Sequence, residues 1–195
     1  MAVKAVVFDV GETLVDETGM WERAADAAGV PRFTLMGVLG GLAARGETHS
    51  KAWEILAVEW PASTWTADEF YPDALPCLSR LRSGGLLVGA AGNMPAETEE
   101  LVREHVDIVG STGRWGIEKP LPEFFGRIAA EAGFAAEEIA YVGDRVDNDV
   151  RAARAAGMVA VHIRRGPWGH LQRGAEEAHL RIDSLAELPE VLDGV

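Results

Sequence analysis

Val3-Lys4-Ala5-Val6-Val7-Phe8 is a short apolar run, brought to an end by Asp9 and then Gly11. Apolar character this continuous reads as a strand buried on both faces. Runs of the same kind follow at residues 86–91, 139–142 and 158–163, and a weaker one at 106–109 completes a set of five. Helical patterns lie between most of them, at 95–105, 122–132 and 147–156, the last stopped by Gly157. Strands alternating with helices imply right-handed crossovers and a parallel sheet covered on both faces, an α/β fold. Residues 180–192 read as a short final strand and helix packed on that core.

The stretch between the first two strands is too long for one crossover. Residues 20–28 form a helical pattern broken by Gly29-Val30-Pro31. Pro31 suits the first turn of a second helix, whose Leu35, Val38, Leu39 and Leu42 fall at helical spacing. A third helix is expected over 50–58, stopped by Trp60-Pro61. The expected organisation is therefore a core of residues 1–15 and 73–195 with a helical insertion at 16–72. Four of the six tryptophans lie in the insertion (Trp21, Trp53, Trp60 and Trp65), and they are expected to form its own small core. A surface so rich in Trp is equally suited to a homodimer contact.

With 195 residues, 48% hydrophobic and 25% charged, the composition is globular and suits one domain with a modest insertion. Lys and Arg number 18 against 31 Asp and Glu, a net charge of -13. That field repels phosphate backbones and anionic bilayers, which argues against nucleic-acid and membrane partners. Seven of the basic residues nevertheless fall between Arg145 and Arg181, predicting a locally basic end. The single cysteine, Cys77, excludes an intrachain disulfide and fits a reducing compartment. Without a signal-peptide pattern or an apolar stretch long enough to span a bilayer, the expected location is cytoplasmic.

Open parallel sheets bind ligands at the carboxyl ends of their strands. Asp9 follows the first strand, Gly92-Asn93 the second, and Gly143-Asp144 the fourth, with Asp147, Asn148 and Asp149 just beyond. Lys119 sits in the Gly116–Pro120 loop before a crossover helix. Carboxylates gathered this closely cannot all stay ionised without compensation. A hard divalent cation with oxygen ligands is the ordinary remedy, and magnesium suits two carboxylates with open water positions. Lys119 can neutralise both a carboxylate and substrate oxygens. An ionised Asp is a competent nucleophile toward phosphorus, giving an aspartyl-phosphate that water cleaves.

Phe8-Asp9-Val10-Gly11-Glu12-Thr13-Leu14, Gly92-Asn93, Glu118-Lys119-Pro120-Leu121-Pro122-Glu123-Phe124-Phe125 and Val142-Gly143-Asp144 through Asp149 resemble, in order and spacing, the four motifs of the haloacid dehalogenase superfamily. The resemblance implies a Rossmann-like three-layer core of strand order 5-4-1-2-3 and a small helical cap after the first motif. It also implies a magnesium-dependent phosphatase acting on a small phosphorylated metabolite. Asp9 would be the nucleophile and a metal ligand, and Gly11 would lend a backbone carbonyl to the metal. Asp144 would ligate it, Asp149 would act directly or through water, and Lys119 would bridge Asp9 and the phosphate. Gly92 and Asn93 fall at the substrate-binding motif.

Two positions depart from that pattern. Phosphatases of the superfamily carry a second Asp two residues after the nucleophile, where this chain has Gly11. The hydroxyl usual at the second motif is replaced by Gly92, which keeps only its N–H. The missing acid could come from elsewhere; Glu12 is the nearest carboxylate but stands one residue out of register. A weakly active phosphate- or partner-binding protein is one alternative. A 2-haloacid dehalogenase is another, though that reading sits poorly with an intact metal motif.

Several residues carry two readings. Asn93 suits substrate contact or loop positioning, and the turn at Asn93-Met94-Pro95 favours positioning. Glu97, Glu99 and Glu100 read as helix-dipole partners. Arg145 could face phosphate or pair with Asp147. Arg164-Arg165-Gly166-Pro167-Trp168-Gly169, at the active edge, could close over a substrate, but a loop with two Arg is commonly just solvated. Of the five histidines, His49 alone invites a test of substrate contact.

Overall fold

A computed structural model describes residues 2–194. β1 (Ala5–Phe8) is buried along its whole length and lies parallel between β2 (Leu87–Gly92) and β4 (Ile139–Gly143). This central place explains its unbroken apolar character. β3 (Ile108–Ser111) flanks β2, β5 (Val159–Ile163) flanks β4, and β6 (Leu180–Ile182) extends the sheet beyond β5. The order is β3-β2-β1-β4-β5-β6, all parallel, so the expected 5-4-1-2-3 arrangement gains a sixth strand at its outer end. Phe8 aligns with Ala90 and Val142, which sets Asp9 at the carboxyl edge between the ends of β2 and β4.

Alternation along β1 divides its side chains between two cores. Val6 and Phe8 join Leu78, Leu81, Val88 and Leu188 beneath α4 (Ala74–Ser83), α5 (Glu99–Arg103) and α10 (Leu188–Leu192). Ala5 and Val7 join Phe124, Phe125, Ile128 and Tyr141 beneath α7 (Pro122–Ala132) and α8 (Arg151–Ala155). The result is a three-layer α/β core. Truncating Phe124 or Phe125 to Ala would cost about 3–5 kcal/mol.

The insertion holds α1 (Thr18–Ala27), α2 (Arg32–Arg45) and α3 (Lys51–Leu56). Pro31 stands just before α2 as its N-cap, not inside it. Leu35, Leu39 and Leu42 pack with Trp21 and Trp53, and the cluster is completed from outside the insertion by Trp168 of α9 (Gly166–Leu171). The chain leaves and re-enters the core side by side: Asp16 N–H donates to Glu69 O at 2.8 Å, and Tyr71 N–H to Leu14 O at 2.9 Å.

Three local expectations shift. Val106 precedes β3 and is buried from a loop, so core-facing burial there mimics a strand. The 95–105 pattern contracts to α5, because Pro95 and a 3-10 turn at Ala96–Thr98 occupy its start. The 147–156 pattern splits into a π-type turn at Val146–Val150 and then α8. A short helix, α6 (Thr112–Trp115), follows β3.

Candidate active site at the carboxyl edge of the sheet

Asp9, Asp144 and Asp149 bring carboxyl oxygens within 4.8 Å of one another, and Lys119 Nζ lies 2.8 Å from Asp9 Oδ1 and 2.7 Å from Asp149 Oδ1. All four are withdrawn from water, with relative exposures of 8%, 3%, 1% and 4% for Asp9, Asp144, Asp149 and Lys119. Two ionised carboxylates at 4.8 Å repel by roughly 3.5 kcal/mol at an effective dielectric of about 20. One ammonium cannot balance three such groups. Burial therefore pushes Asp149 up to about 6, with Asp9 adding to it and Lys119 opposing. Asp144 rises well above the usual carboxylate range through burial, then Asp149, Asp9 and Glu12. Burial works against the Lys119 charge, but Asp149 and Asp9 outweigh it and hold the amine well above its ordinary value. A cluster of buried, mutually repelling oxygen donors is the chemistry that fits a magnesium ion.

Glycines shape this edge. A Cβ on Gly143 would stand 2.3 Å from Asp149 Oδ2 and 2.6 Å from its Cβ, so only glycine lets Asp149 lie against the end of β4. A Cβ on Gly92 would stand 2.6 Å from Asp9 Oδ1, so the residue that lacks the expected hydroxyl also makes room for the Asp9 carboxylate. Asp149 is fixed further by the Arg145 N–H, which donates to its Oδ2 at 2.9 Å. Asp9, Gly11, Asn93, Lys119 and Asp144 face a common cavity of about 610 Å³.

Asn93 uses its amide on the Lys119 backbone: Nδ2 donates to Lys119 O at 3.0 Å, and Oδ1 accepts from Lys119 N–H at 2.8 Å. That geometry is loop positioning, and it aims Lys119 at Asp9. The Lys119 ammonium spans Asp9 and Asp149, a partner the sequence did not suggest. Arg145 makes a two-point contact with Asp147 at 3.1 and 2.8 Å. Glu12 has a left-handed backbone (φ 52°) and accepts from Tyr71 Oη at 2.6 Å and Glu17 N–H at 3.1 Å, as a turn-holding residue does.

Other readings change. The 164–169 segment is no solvated loop, since α9 (Gly166–Leu171) begins within it and runs beyond its end. Buried Arg165 donates to Thr13 O at 2.8 Å, pairs with Asp73 and lies 4.2 Å over the Tyr71 ring. The basic end is largely neutralised, because Arg145, Arg151, Arg164 and Arg165 each meet a carboxylate. Glu99 is a buried hub that accepts from Ser111, Arg103 and Arg114, more than a dipole partner.

The four insertion tryptophans part company. Trp21 and Trp53 are buried in its core, whereas Trp60 is 54% exposed and Trp65 packs toward the main core. Trp21, Trp60 and Trp65 line a second cavity of about 630 Å³ with Met20 and Met94, and among the described residues no Lys or Arg lies on its wall. The two cavities share Glu17, His49, Trp65, Asn93 and Glu118. His49 is ringed by Trp21, Trp60 and Trp168 at 5.4–6.2 Å between ring centres. Burial, with the Arg145 charge, pushes it down to about 4. Sequence reasoning missed Glu17, at the entry to α1, whose carboxyl burial pushes up to about 8, with Glu12 and Asp9 adding to it and the Trp21 hydrogen bond opposing. The absent side chain at Gly11 was the one hint that some other group fills that space.

A model of haloacid dehalogenase-like hydrolases matches residues 3–157. A glyceraldehyde 3-phosphate phosphatase of Methanopyrus kandleri is 37% identical over 131 residues, 63% of this chain and 56% of that protein. A phosphoserine phosphatase of Thermus thermophilus is 39% identical over 102 residues, 49% of this chain and 41% of its own length. The chain thus spans between about two fifths and little more than half the length of these curated relatives. In structure it is similar to a HAD phosphatase from Thermococcus onnurineus (TM-score 0.67, 23% identity, 98% and 99% of the two chains covered). It is similar also to a 2-haloacid dehalogenase from Pseudomonas syringae (TM-score 0.64, 22% identity, 98% and 99% covered). Likeness at that identity speaks to fold alone. No helix among the described residues is long and apolar enough to cross a membrane.

Proposed function

The chain belongs to the haloacid dehalogenase-like hydrolases, and from that membership we propose that it is a magnesium-dependent phosphatase that hydrolyses a small phosphate monoester through Asp9. The observation that carries this reading is the buried cluster of Asp9, Asp144 and Asp149 about Lys119 at the ends of β1 and β4. An Asp9 oxygen bonds to phosphorus as the bond to the leaving oxygen breaks. Water then attacks the same phosphorus, freeing inorganic phosphate and restoring the carboxylate. Lys119, 2.8 Å from Asp9, offsets the repulsion between that carboxylate and an incoming dianion. The Gly92 N–H is left to contact phosphate, and Asn93 acts on it indirectly by holding the Lys119 loop. Asp9, Asp144, the Gly11 carbonyl and Asp149 would hold magnesium, which neutralises charge on the transferring phosphoryl group.

In this reading residues 16–72 are the cap, and they select the alcohol half of the substrate. Three tryptophans and two methionines line the adjoining cavity, while its shared acidic residues are Glu17 and Glu118. Such walls favour an uncharged, carbon-rich alcohol and disfavour a second anionic group. The relatives named as glyceraldehyde 3-phosphate phosphatases are in keeping with this, since that ester has one phosphate and no carboxylate.

The test is a panel of phosphate monoesters assayed with magnesium, using wild type and Asp9→Asn. Phosphate monoesters of uncharged alcohols should be hydrolysed faster than phosphoglycolate or phosphoserine, and Asp9→Asn should abolish both. Indistinguishable wild type and variant on every ester would leave a phosphate-binding protein. Halide release from a 2-haloacid without metal would point to dehalogenation.

A further inference from the structure

Gly11 stands where the resemblance calls for a proton-donating carboxyl, and the space beside it is filled. A Cβ on Gly11 would lie 2.2 Å from Glu17 Oε1, 2.9 Å from Glu17 Cδ and 3.2 Å from Trp65 Cζ2. The Glu17 carboxyl therefore occupies the place where a side chain at position 11 would begin. It arrives there from the turn into α1, and the Trp21 indole N–H holds its Oε2 at 3.1 Å while Oε1 faces Gly11. Glu17 also lies on the walls of both cavities, the one holding Asp9 and Lys119 and the one lined by tryptophans. If phosphate lies in the first and the alcohol in the second, the scissile P–O bond crosses their junction.

Two other carboxylates come near this junction. Both Glu12 oxygens are engaged, by Tyr71 and by the Glu17 N–H, and Glu118 is solvent-exposed.

We propose that Glu17 supplies and retrieves the proton of the reaction, a carboxyl delivered by the cap in place of one on the core at position 11. This rests on the phosphatase reading above. As the bond from phosphorus to the leaving oxygen breaks, Glu17 gives its proton to that oxygen and becomes a carboxylate. As water attacks the Asp9-bound phosphorus, the carboxylate takes one proton from the water, so the cycle closes with Glu17 protonated and hydrogen phosphate released. Because the donor belongs to the cap, cap placement and proton supply are coupled.

The experiment compares wild type, Glu17→Gln and Glu17→Ala/Gly11→Asp, each with magnesium, on glycerol phosphate and p-nitrophenyl phosphate. Gln keeps an oxygen for the Trp21 N–H, so folding is preserved and can be checked by thermal unfolding. Loss of a general acid costs roughly 10²- to 10⁴-fold. That loss is expected in kcat on glycerol phosphate for Glu17→Gln. Nitrophenolate needs no proton to leave, so p-nitrophenyl phosphate should show a stoichiometric burst, then slow turnover, with a phosphoryl adduct on Asp9 seen by mass spectrometry after quenching. The double variant should recover at least tenfold on glycerol phosphate over Glu17→Gln. Equal losses on both esters without a burst, or unchanged rates on glycerol phosphate, overturn the assignment of Glu17 alone. No Asp9 adduct and no hydrolysis in wild type remove the phosphatase reading, and this assignment with it.

Discussion

Lys119→Met isolates the electrostatics of the site. The ammonium sits 2.8 Å from Asp9 and 2.7 Å from Asp149, and all three side chains are almost wholly out of water. Met preserves most of the volume and removes the charge, leaving two carboxylates buried beside a third at Asp144. Breaking a buried ion pair by deleting one partner costs about 3–5 kcal/mol. For a chain of 195 residues, 1 kcal/mol is worth about 2–4 °C, so the unfolding midpoint in chelator at pH 8 should fall by about 6–20 °C. The pH dependence follows from Asp149, whose carboxyl already stands at about 6 with the lysine present and should climb further without it. A carboxyl raised in the folded state contributes stability that is present below its unfolded value and lost as pH rises through the folded one. The deficit of the variant should therefore shrink as pH falls from 8 toward 5, and adding Asp149→Asn should recover part of it at pH 8. Differential scanning calorimetry across that range makes the comparison. A midpoint within about 2 °C of wild type throughout would refute the picture of a strained carboxylate cluster held by one cation.

Three more outcomes follow from particular contacts. Gly143→Ala places a Cβ 2.3 Å from Asp149 Oδ2, so magnesium affinity measured by calorimetric titration should weaken at least about tenfold, while unchanged affinity would exclude Asp149 from the metal site. His49 is lowered to about 4 by burial and Arg145, so its neutral form contributes stability above about 6.5 that is lost as pH falls toward 4. In urea titrations His49→Phe should remove about 1–3 kcal/mol of that acid loss, after allowance for its partial exposure; an unaltered pH slope would count against the tryptophan enclosure. Arg165→Met orphans Asp73, which also accepts from Ser184 Oγ and Leu185 N–H, and should cost about 3 kcal/mol in the same titrations. A loss under about 1 kcal/mol would mean that this joint is not structural.

Much of the core could be read from residue patterns because its signals are local. β1 and β4 are continuous apolar runs, and α7 begins at Pro122 and stops at left-handed Gly133, so its bounds match the expectation. Where burial came from tertiary context the pattern misled: Val106 is apolar for the core without being a strand, and Trp168 completes a cluster in another part of the chain. The same division holds at the candidate site. Asp9, Lys119 and Asp144 each follow a motif at a strand end or loop, and the fold brings them together with Asp149. Glu17 belongs to no motif, and its relation to Gly11 exists only as a shared volume. Because of that shared volume, Gly11→Asp alone would collide with Glu17 and cannot simply restore an acid.

Asp9 as covalent nucleophile is the central claim, and chemical trapping tests it most directly. The protein is mixed with magnesium and a phosphate monoester of an uncharged alcohol, quenched in acid within a turnover, digested and analysed by mass spectrometry. A phosphoryl group on the peptide that contains Asp9, absent from Asp9→Asn, is the predicted result. Steady hydrolysis that survives in Asp9→Asn, with no adduct on that peptide, would contradict it.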